Sequence, residues 1–247
     1  MARRRFFVDC IRGGSAELHG DDARHLTRVL RVEAGQQFEI SDNREVWLAE
    51  VSEARGERVA FRAIEPLEPP AASVRITLVA ALVKFDRFEW IVEKATELGA
   101  ERILPMEAAR TEKGLFEASR KRAERWRRIA RESSQQARRA SIPEIPAALP
   151  FEGCLAEPAD WRYFLEESSA PPFLSLLPAH PAAADHVAVM LGPEGGWTDR
   201  ERRSAAGAGW TPVSLGPLVL RAETAATAAL ALVSNAWMAA NVTTIKR

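Results

Sequence analysis

Cysteine and long uninterrupted apolar runs are scarce in this sequence, and each scarcity narrows the class of protein. Cys10 and Cys154 are the only cysteines, and neither has a histidine near it at ligand spacing. They indicate neither a disulfide framework nor a zinc site, so we expect no bound metal. The first residues lack the apolar core of a secretory signal, which predicts a cytoplasmic protein. Residues 222–240 are apolar but carry Glu223 and other polar side chains, so they predict a buried helix and no membrane span.

Lysine is also scarce, because only five of the 34 basic residues are lysines and 29 are arginines, in a chain of zero formal net charge. A GC-rich gene explains such an excess without any function. Guanidinium groups also match phosphate oxygens. Residues 119–141 concentrate nine basic groups against two acidic ones. Arginines crowded at helical spacing repel one another, and RNA phosphates would supply counter-ions, although a solvated helix face is the simpler alternative.

A proline-containing connector at residues 65–70 divides the chain into two regions of different pattern. Before it, short alternating segments predict a small β-barrel, with strands at 38–40, 45–51 and 58–64 and a helix over 21–30. After it, strands alternate with helices, which predicts an α/β domain with a parallel sheet. The strands are expected at 74–83, 102–106, 163–165, 186–191 and 213–220, and the helices at 86–98, 117–139, 198–208 and from 222 onward. The expected domains are therefore 1–70 and 73–247.

Two glycine-containing segments carry the candidate chemistry. Residues 191–197 read Leu-Gly-Pro-Glu-Gly-Gly-Trp and follow a predicted buried strand. Glycine lets the backbone approach a ligand closely, and α/β folds bind ligands in the loops that follow such strands. They lack both the Walker lysine and the Gly-x-Gly-x-x-Gly spacing, and a plain strand-to-helix turn is an equal alternative. Residues 215–225 place Arg221 and Glu223 at the start of an apolar helix. The helix start explains Glu223 but leaves Arg221 unexplained, which favours a functional role.

Taken together, the two segments resemble the RsmE family of the SPOUT superfamily, bacterial enzymes that make N3-methyluridine in 16S rRNA. Further matches include His25-Leu-Thr-Arg-Val-Leu-Arg31 and the residues Glu89, Lys94 and Arg110, so the resemblance spans nearly the whole chain. It implies a C-terminal SPOUT trefoil-knot domain with a parallel sheet, and an N-terminal PUA-like RNA-binding β-barrel. It also implies a homodimer, for which the final helix with Trp237 and Met238 is a candidate interface.

The same resemblance assigns roles to individual residues. The cofactor S-adenosyl-L-methionine is expected to contact Leu165, Glu166, Leu191, Gly192, Pro193, Glu194, Gly195, Gly196, Leu215, Gly216, Leu218, Leu220 and Thr224. The RNA partner, 16S rRNA or the small ribosomal subunit, is expected to contact His25, Arg28, Arg31, Arg110, Arg120, Arg127, Arg128 and Arg139. Arg221 and Glu223 are the expected catalytic residues. Arg221 stays protonated and would stabilise charge on the uracil oxygens, while the proton acceptor is left open between Glu223 and Glu194.

Two other functions stay open at this stage. One is a different SPOUT reaction, ribose 2′-O-methylation, which mass spectrometry of the methylated nucleosides would distinguish. The other is a non-catalytic RNA-binding factor in ribosome assembly, which absence of S-adenosylmethionine binding would favour. A nucleotide-binding ATPase is a distant third, because no Lys-Ser/Thr phosphate loop is present. Nothing in the sequence identifies the target uridine.

Overall fold

The computed structural model describes residues 4–68, 73–167 and 170–245, and the chain separates into two compact units. The first unit comprises Met1–Pro70 and Arg131–Ile142, and the second comprises Ala71–Ala130 and Pro143–Arg247. The chain therefore leaves the first unit, enters the second, and returns to the first for a short segment. Within the described ranges, no helix combines the length and apolarity that crossing a membrane requires.

The first unit contains a five-stranded sheet in the order β1-β3-β4-β5-β2. Its strands are β1 (Arg5–Phe7), β2 (Ser15–His19), β3 (Gln37–Ser41), β4 (Val46–Arg55) and β5 (Arg58–Leu67). Strand β1 pairs with β3 in parallel, and the other neighbours are antiparallel. Alternation places one face of each long strand in a core that includes Ile40, Val51 and Phe61. The predicted strands β3, β4 and β5 are confirmed, whereas the short strands β1 and β2 were not predicted.

The helix predicted over 21–30 is present in two parts. Helix α1 (Gly20–Arg24) continues into a π-helical turn at His25–Val29, in which Leu26 is buried. Arg31 follows with a φ of 51°, in the left-handed region. π-Helical turns are often found at functional sites, and this one carries two exposed basic residues, His25 and Arg28. Its presence therefore favours the RNA contact predicted for them.

The segment that returns from the second unit is bound to the sheet by polar contacts. Arg5 and Glu39 form a buried ion pair of 2.8 Å, and the Arg5 Nη1 donates to the Arg138 carbonyl oxygen at 2.7 Å. The Arg138 guanidinium pairs with the other oxygen of Glu39. The Ser41 hydroxyl donates to the Ala140 carbonyl oxygen at 2.6 Å. Residues 131–142 are therefore a bonded part of the first unit.

The second unit contains a six-stranded, all-parallel sheet in the order β11-β9-β10-β6-β7-β8. Its strands are β6 (Arg75–Ala81), β7 (Arg102–Glu107), β8 (Leu149–Pro150), β9 (Trp161–Leu165), β10 (His186–Leu191) and β11 (Thr211–Val213). Its helices are α2 (Phe85–Glu97), α3 (Leu115–Gln136, which ends in the first unit), α4 (Phe151–Cys154), α5 (Asp199–Gly207) and α6 (Ala222–Ile245), with a 3-10 turn at Phe173–Leu176.

The central strands β6 and β10 are buried along nearly their whole length, as their continuous apolar runs predict. Helix α2 ends at Glu97 with Leu98 as its C-cap, and Gly99 follows with a φ of 95°, so the predicted glycine stop is confirmed. The predicted capping box of α5 is also confirmed, because Glu201 N donates to the Thr198 hydroxyl and Thr198 N donates to Glu201 Oε2.

Two sequence predictions for this unit are wrong. Of the strand predicted over 213–220, only Val213 belongs to a strand, as the last residue of β11, and Ser214 forms an isolated parallel bridge with Pro172. Gly216 takes a φ of 131° and Pro217 cannot donate to a ladder, so residues 214–221 form an open loop. Trp237 was expected at a subunit interface, but its side chain is fully buried and its Nε1 donates to Asp185 Oδ2 at 2.9 Å. Trp237 is therefore a core residue, whereas Met238 is half exposed.

Candidate active site

A cavity of about 240 Å³ lies in the second unit, where the adjacent parallel strands β11, β9 and β10 end. Ligand sites of α/β folds lie at this edge of the sheet. The walls are the end of β9, the loop after β10, the loop after β11 and the first turn of α6. The described lining residues are Leu165, Glu166, Glu167, Leu191, Gly192, Pro193, Glu194, Gly196, Trp197, Leu215, Gly216, Leu218, Val219, Leu220, Arg221, Ala222 and Ala225.

The donor loop, as we name residues 192–196, is held by side chains from two other elements. Arg110 Nη1 donates to the Gly195 carbonyl oxygen at 2.8 Å. The Glu194 carboxylate forms an ion pair with Arg87, in the first turn of α2. Within the loop, Gly196 N donates to the Pro193 carbonyl oxygen at 2.8 Å, and Gly196 takes a φ of 68°. The loop therefore has a fixed shape with tertiary support.

Trp197 forms the base of the donor loop. Its Nε1 donates to the Leu165 carbonyl oxygen at 2.8 Å, and its ring stacks on Phe164 with a centroid distance of 4.4 Å. The ring also covers Gly192, since a Cβ at that position would lie 2.8 Å from Trp197 Cε2. Gly192 is thus required for steric reasons, and the indole joins the donor loop to the end of β9.

The open loop at residues 214–221 has far less support. At its start, Ser214 N donates to the Pro171 carbonyl oxygen and Phe173 N donates to the Ser214 carbonyl oxygen, both at 2.9 Å. Beyond Ser214, the hydrogen bonds described for residues 215–220 are those of Gly216, whose carbonyl oxygen accepts from the Ser214 hydroxyl and whose N donates to it, both at 3.1 Å. Leu218 and Val219 are each 78% exposed. Arg221 is exposed at the end of this loop, and its guanidinium has no hydrogen bond or ion pair with the described residues. This wall of the cavity therefore presents an unused cation and apolar side chains.

Three carboxylates lie on the cavity wall, and two of them are matched by arginines. Glu166 accepts two hydrogen bonds from Arg202, at 2.6 and 3.0 Å, and this bonding raises the pKa of the Arg202 guanidinium. Glu194 is matched by Arg87. Glu167 forms no ion pair with the described residues. Among the described ranges there is no group of three or more side chains suited to bind a metal ion.

Glu223, the second expected catalytic residue, lies in the first turn of α6 beside the lining residues Arg221 and Ala222. Its own side chain is outside the described lining. Its Oε2 atom is buried and lacks a hydrogen-bond partner in the described part of the chain. A buried carboxylate oxygen without a hydrogen-bond donor destabilises the folded state. Stability alone therefore does not explain a glutamate at this position.

The structure brings together most of the residues expected to contact the cofactor. All of them line the cavity except Gly195, whose carbonyl faces Arg110, and Thr224, which is exposed on α6. Sequence reasoning missed Glu167, Trp197, Val219, Ala222 and Ala225. Trp197 and Glu167 directly follow expected residues, and Ala222 and Ala225 lie three positions apart on one helix face, so adjacency and helical spacing were available signals.

The residues expected to contact RNA fall into two groups. His25, Arg28, Arg31, Arg120 and Arg128 are exposed, and their side chains have no hydrogen bond or ion pair with the described residues. The other three each donate to a backbone carbonyl of this chain. These contacts join Arg110 to Gly195 (2.8 Å), Arg127 to Ile145 (3.1 Å) and Arg139 to Ser141 (3.1 Å).

The arginine run of 119–141 was expected to need counter-ions from RNA, and for part of the run this expectation is wrong. Arg125 Nε lies 2.6 Å from Glu89 Oε1, and Arg131 Nη2 lies 2.7 Å from Asp22 Oδ2. Arg122 stacks over Phe85 at 4.9 Å from the ring centroid. The helix therefore uses much of its charge within the protein, and only some of its cations, such as Arg120, Lys121 and Arg128, are available to a partner.

Comparison with family models assigns both regions of the chain. A model for an RNA methyltransferase domain matches residues 70–234, and a model for an RNA methyltransferase PUA domain matches residues 18–64. The chain is 34% identical to ribosomal RNA small subunit methyltransferase E of Synechocystis, over 89% of this chain and 71% of that protein. It is 33% identical to the Mycobacterium tuberculosis protein of the same name, over 94% and 92% of the two chains.

Solved structures show the same similarity. The ribosomal RNA small subunit methyltransferase E of Neisseria gonorrhoeae, bound to S-adenosyl methionine, superposes with a TM-score of 0.85 and 26% identity, over 96% of this chain and 98% of that one. A Legionella pneumophila putative methyltransferase in complex with the same cofactor gives a TM-score of 0.85 and 28% identity, with the same coverage. The fold of this chain is thus shared with these structures over nearly its whole length.

Proposed function

The chain belongs to the family of ribosomal RNA small subunit methyltransferase E, and from this premise we propose that it methylates N3 of one uridine in 16S rRNA. It is an S-adenosylmethionine-dependent methyltransferase with a parallel α/β domain and a PUA-type RNA-binding domain. One observation supports the proposal most strongly. The cavity at the ends of β9, β10 and β11 combines a rigid, glycine-bearing wall with an unpaired arginine on its open side.

The lining suits the cofactor. Adenosine sites are usually apolar with a few backbone groups that fix orientation, and this cavity offers Leu191, Leu215 and Leu220 beside glycine backbone. The amino-acid end of the cofactor carries one carboxylate and one ammonium group. Glu167, a lining carboxylate without an ion pair among the described residues, has the charge that matches the ammonium group. When bound, S-adenosylmethionine supplies the methyl group on its sulfonium.

The protein residues supply alignment, charge stabilisation and exclusion of water. Arg221 is the residue we propose to act on the uracil, because its guanidinium stays protonated and can bind oxygens that gain negative charge as the N3 proton leaves. Glu223 is the proposed proton acceptor. Its unpartnered Oε2 supports this choice over Glu194, whose carboxylate is bound by Arg87. A base must come within hydrogen-bond reach of the nucleophile, so the Glu223 side chain, which is outside the described lining, has to turn toward the cavity when the substrate binds.

We propose that RNA binds the exposed, unpaired basic residues. His25, Arg28 and Arg31 would contact phosphates from the PUA-type unit, and Arg120 and Arg128 from helix α3. Their exposure and lack of protein partners support this role, since each can neutralise a phosphate without breaking an existing contact. The target base must be unpaired or leave its stack to enter the cavity, as base-modifying enzymes require.

The remaining expectations are proposals that follow from the family. We propose a trefoil knot in the C-terminal unit, a homodimer and a cytoplasmic location, where the proposed rRNA substrate is made. We keep 1–70 as the PUA-like domain and 73–247 as the methyltransferase domain, with residues 131–142 attached to the first by their contacts. The exposed Leu218 and Val219, in place of Trp237, support a dimer contact near the cavity.

The experiment is methylation of small-subunit rRNA by the purified protein, with the methylated nucleosides identified by mass spectrometry. We expect N3-methyluridine from the wild type. Arg221→Ala should lower turnover by about two to three orders of magnitude, the scale on which single charge-stabilising groups act, while S-adenosylmethionine binding stays within a few-fold. Unchanged turnover would remove Arg221 from the mechanism.

Two controls separate the alternatives. Arg203→Ala removes another exposed arginine of the same unit and should leave both turnover and cofactor binding unchanged. A ribose-methylated nucleoside as the product would contradict the N3 proposal and favour 2′-O-methylation. Absence of cofactor binding in the wild type would contradict the enzyme itself and favour an RNA-binding assembly factor.

A further inference from the structure

We propose that Arg110 is a positioning residue of the methyl-donor site, which holds the donor loop in its binding shape, and that it does not contribute to RNA binding. The inference rests on the proposed function, because it takes S-adenosylmethionine as the ligand of the cavity. It differs from the role that the sequence indicates for Arg110, a contact to RNA phosphate. Arg87 acts on the same loop from a second element.

The contact between Arg110 and the donor loop involves the whole side chain. The guanidinium donates from Nη1 to the Gly195 carbonyl oxygen at 2.8 Å. The aliphatic stem lies flat on the same residue, since a Cβ at Gly195 would be 3.2 Å from Arg110 Cβ and 3.4 Å from Cδ. Arg110 Nη1 also lies 4.0 Å from a Cβ built on Gly196. Gly195 is therefore the residue on which Arg110 rests, and the two positions depend on each other.

The position of this contact links it to the cavity. Glu194 and Gly196, on either side of Gly195, both line the cavity. Gly195 itself is not among the described lining residues, and its carbonyl oxygen is bound by Arg110. Arg87 binds the Glu194 side chain, so two guanidiniums from α2 and from the segment after β7 fix consecutive residues of the loop.

The physical consequence is preorganisation. A loop that is already in its binding shape does not have to be ordered when the ligand arrives, so its ligand binds more tightly. Without Arg110 the Gly195 carbonyl loses a charge-assisted hydrogen bond and the glycine-rich loop gains conformational freedom. The loss should therefore appear in the affinity for the donor, and in the KM for the donor when turnover is measured.

Arg128 provides the matched comparison, because it is also an arginine of the second unit but is exposed and has no partner among the described residues. The experiment uses the full chain with Arg110→Ala, Arg110→Lys and Arg128→Ala. Calorimetry measures S-adenosylmethionine and S-adenosylhomocysteine binding, and a filter assay measures affinity for a small-subunit rRNA fragment at several salt concentrations. Thermal unfolding checks that each variant is folded.

We expect Arg110→Ala to weaken binding of both cofactor forms by about ten-fold or more, with RNA affinity within two-fold of the wild type. Arg110→Lys should restore part of the cofactor affinity, because an ammonium group can donate to the same carbonyl. Arg128→Ala should show the opposite pattern, with normal cofactor binding, weaker RNA binding and a smaller salt dependence by about one phosphate contact.

Three results would overturn the inference. They are unchanged cofactor affinity in Arg110→Ala, a loss of RNA affinity beyond two-fold in that variant, or no recovery of cofactor affinity in folded Arg110→Lys. None of these touches the proposed function, which depends on the wild type binding and using S-adenosylmethionine. Absence of cofactor binding in the wild type would instead contradict the proposed function directly.

Discussion

The two loops that form the cavity differ in how firmly the protein holds them. The donor loop at 192–196 is bound by Arg87 and Arg110 and rests on Trp197, which is almost fully buried. The open loop at 214–221 is bonded to the segment 171–173 at Ser214, but beyond that residue it has local hydrogen bonds and exposes Leu218 and Val219. One wall is held by tertiary contacts in the absence of a ligand, and the other carries side chains that make no such contacts with the described residues.

The difference indicates a division of labour between the loops. A donor that is the same in every reaction is best bound by a preformed wall, because no ordering cost is then paid at each turnover. A large RNA substrate, or a second copy of the chain, has to complete the site from the other side. The two loops also need glycine for different reasons. In the donor loop, Gly192 leaves room for the Trp197 ring, whereas in the open loop Gly216 takes a φ of 131° that other residues rarely adopt.

The largest combined effect on Tm and cofactor affinity should come from Gly192→Ala, which tests how firmly the donor loop is held. The new Cβ would lie 2.8 Å from Trp197 Cε2, and the ring is held by its stacking on Phe164 and its bond to the Leu165 carbonyl. Overpacking of this kind costs about 1–3 kcal/mol. We expect a Tm several degrees lower and S-adenosylmethionine binding weaker by roughly ten-fold or more, measured by calorimetry.

Gly207→Ala is the control for this prediction, because an added Cβ at the end of α5 meets nothing within 4 Å. That variant should keep both its Tm and its cofactor affinity. If Gly192→Ala behaved like Gly207→Ala, the indole would be free to move, and the contrast between a rigid and an open wall would not hold.

An intermediate effect on cofactor affinity is expected from Trp197→Phe, which removes one hydrogen bond that supports the donor loop. The phenyl ring keeps most of the stacking but cannot donate to the Leu165 carbonyl oxygen. Leaving a buried acceptor without a donor costs about 1–3 kcal/mol, so cofactor affinity should fall about three- to ten-fold. Trp161→Phe is the matched control at the start of β9, where the indole donates to Asp185, and it should leave cofactor affinity unchanged.

Local sequence pattern was sufficient for much of the fold. The strand at 186–191 has the bounds that its continuous apolar run predicts, and the α5 capping box follows from Thr198 and Glu201. The short strand β1 was not predicted, because three residues are too few to show an alternation of polar and apolar side chains. The strand over 213–220 was wrongly predicted because an apolar run is also compatible with an open loop beside a ligand cavity.

The site was predictable where it depended on a motif and unpredictable where it depended on tertiary neighbours. Glycine spacing and family resemblance led to the residues of 191–196 and 215–221. The contact of Arg110 with Gly195 joins positions 85 apart, and no local pattern reports such a pair. The same limit explains the arginine run, whose partners Glu89 and Asp22 are distant in sequence. Charge density alone therefore overstated how many arginines are available to RNA.

The smallest effect on stability should come from the open loop, through the double change Leu218→Ser and Val219→Ser. Both side chains are 78% exposed, so unfolding should change by no more than about 0.5 kcal/mol for each, and cofactor affinity should stay within about three-fold. We expect lower turnover on rRNA, or a smaller oligomer in sedimentation, because both side chains are proposed to contact a partner. Leu174→Ser, at a 67% exposed leucine outside the described lining, should change neither property. A Tm lowered by several degrees in the double variant would mean that the open loop is packed in solution, and both walls would then have to be regarded as preformed.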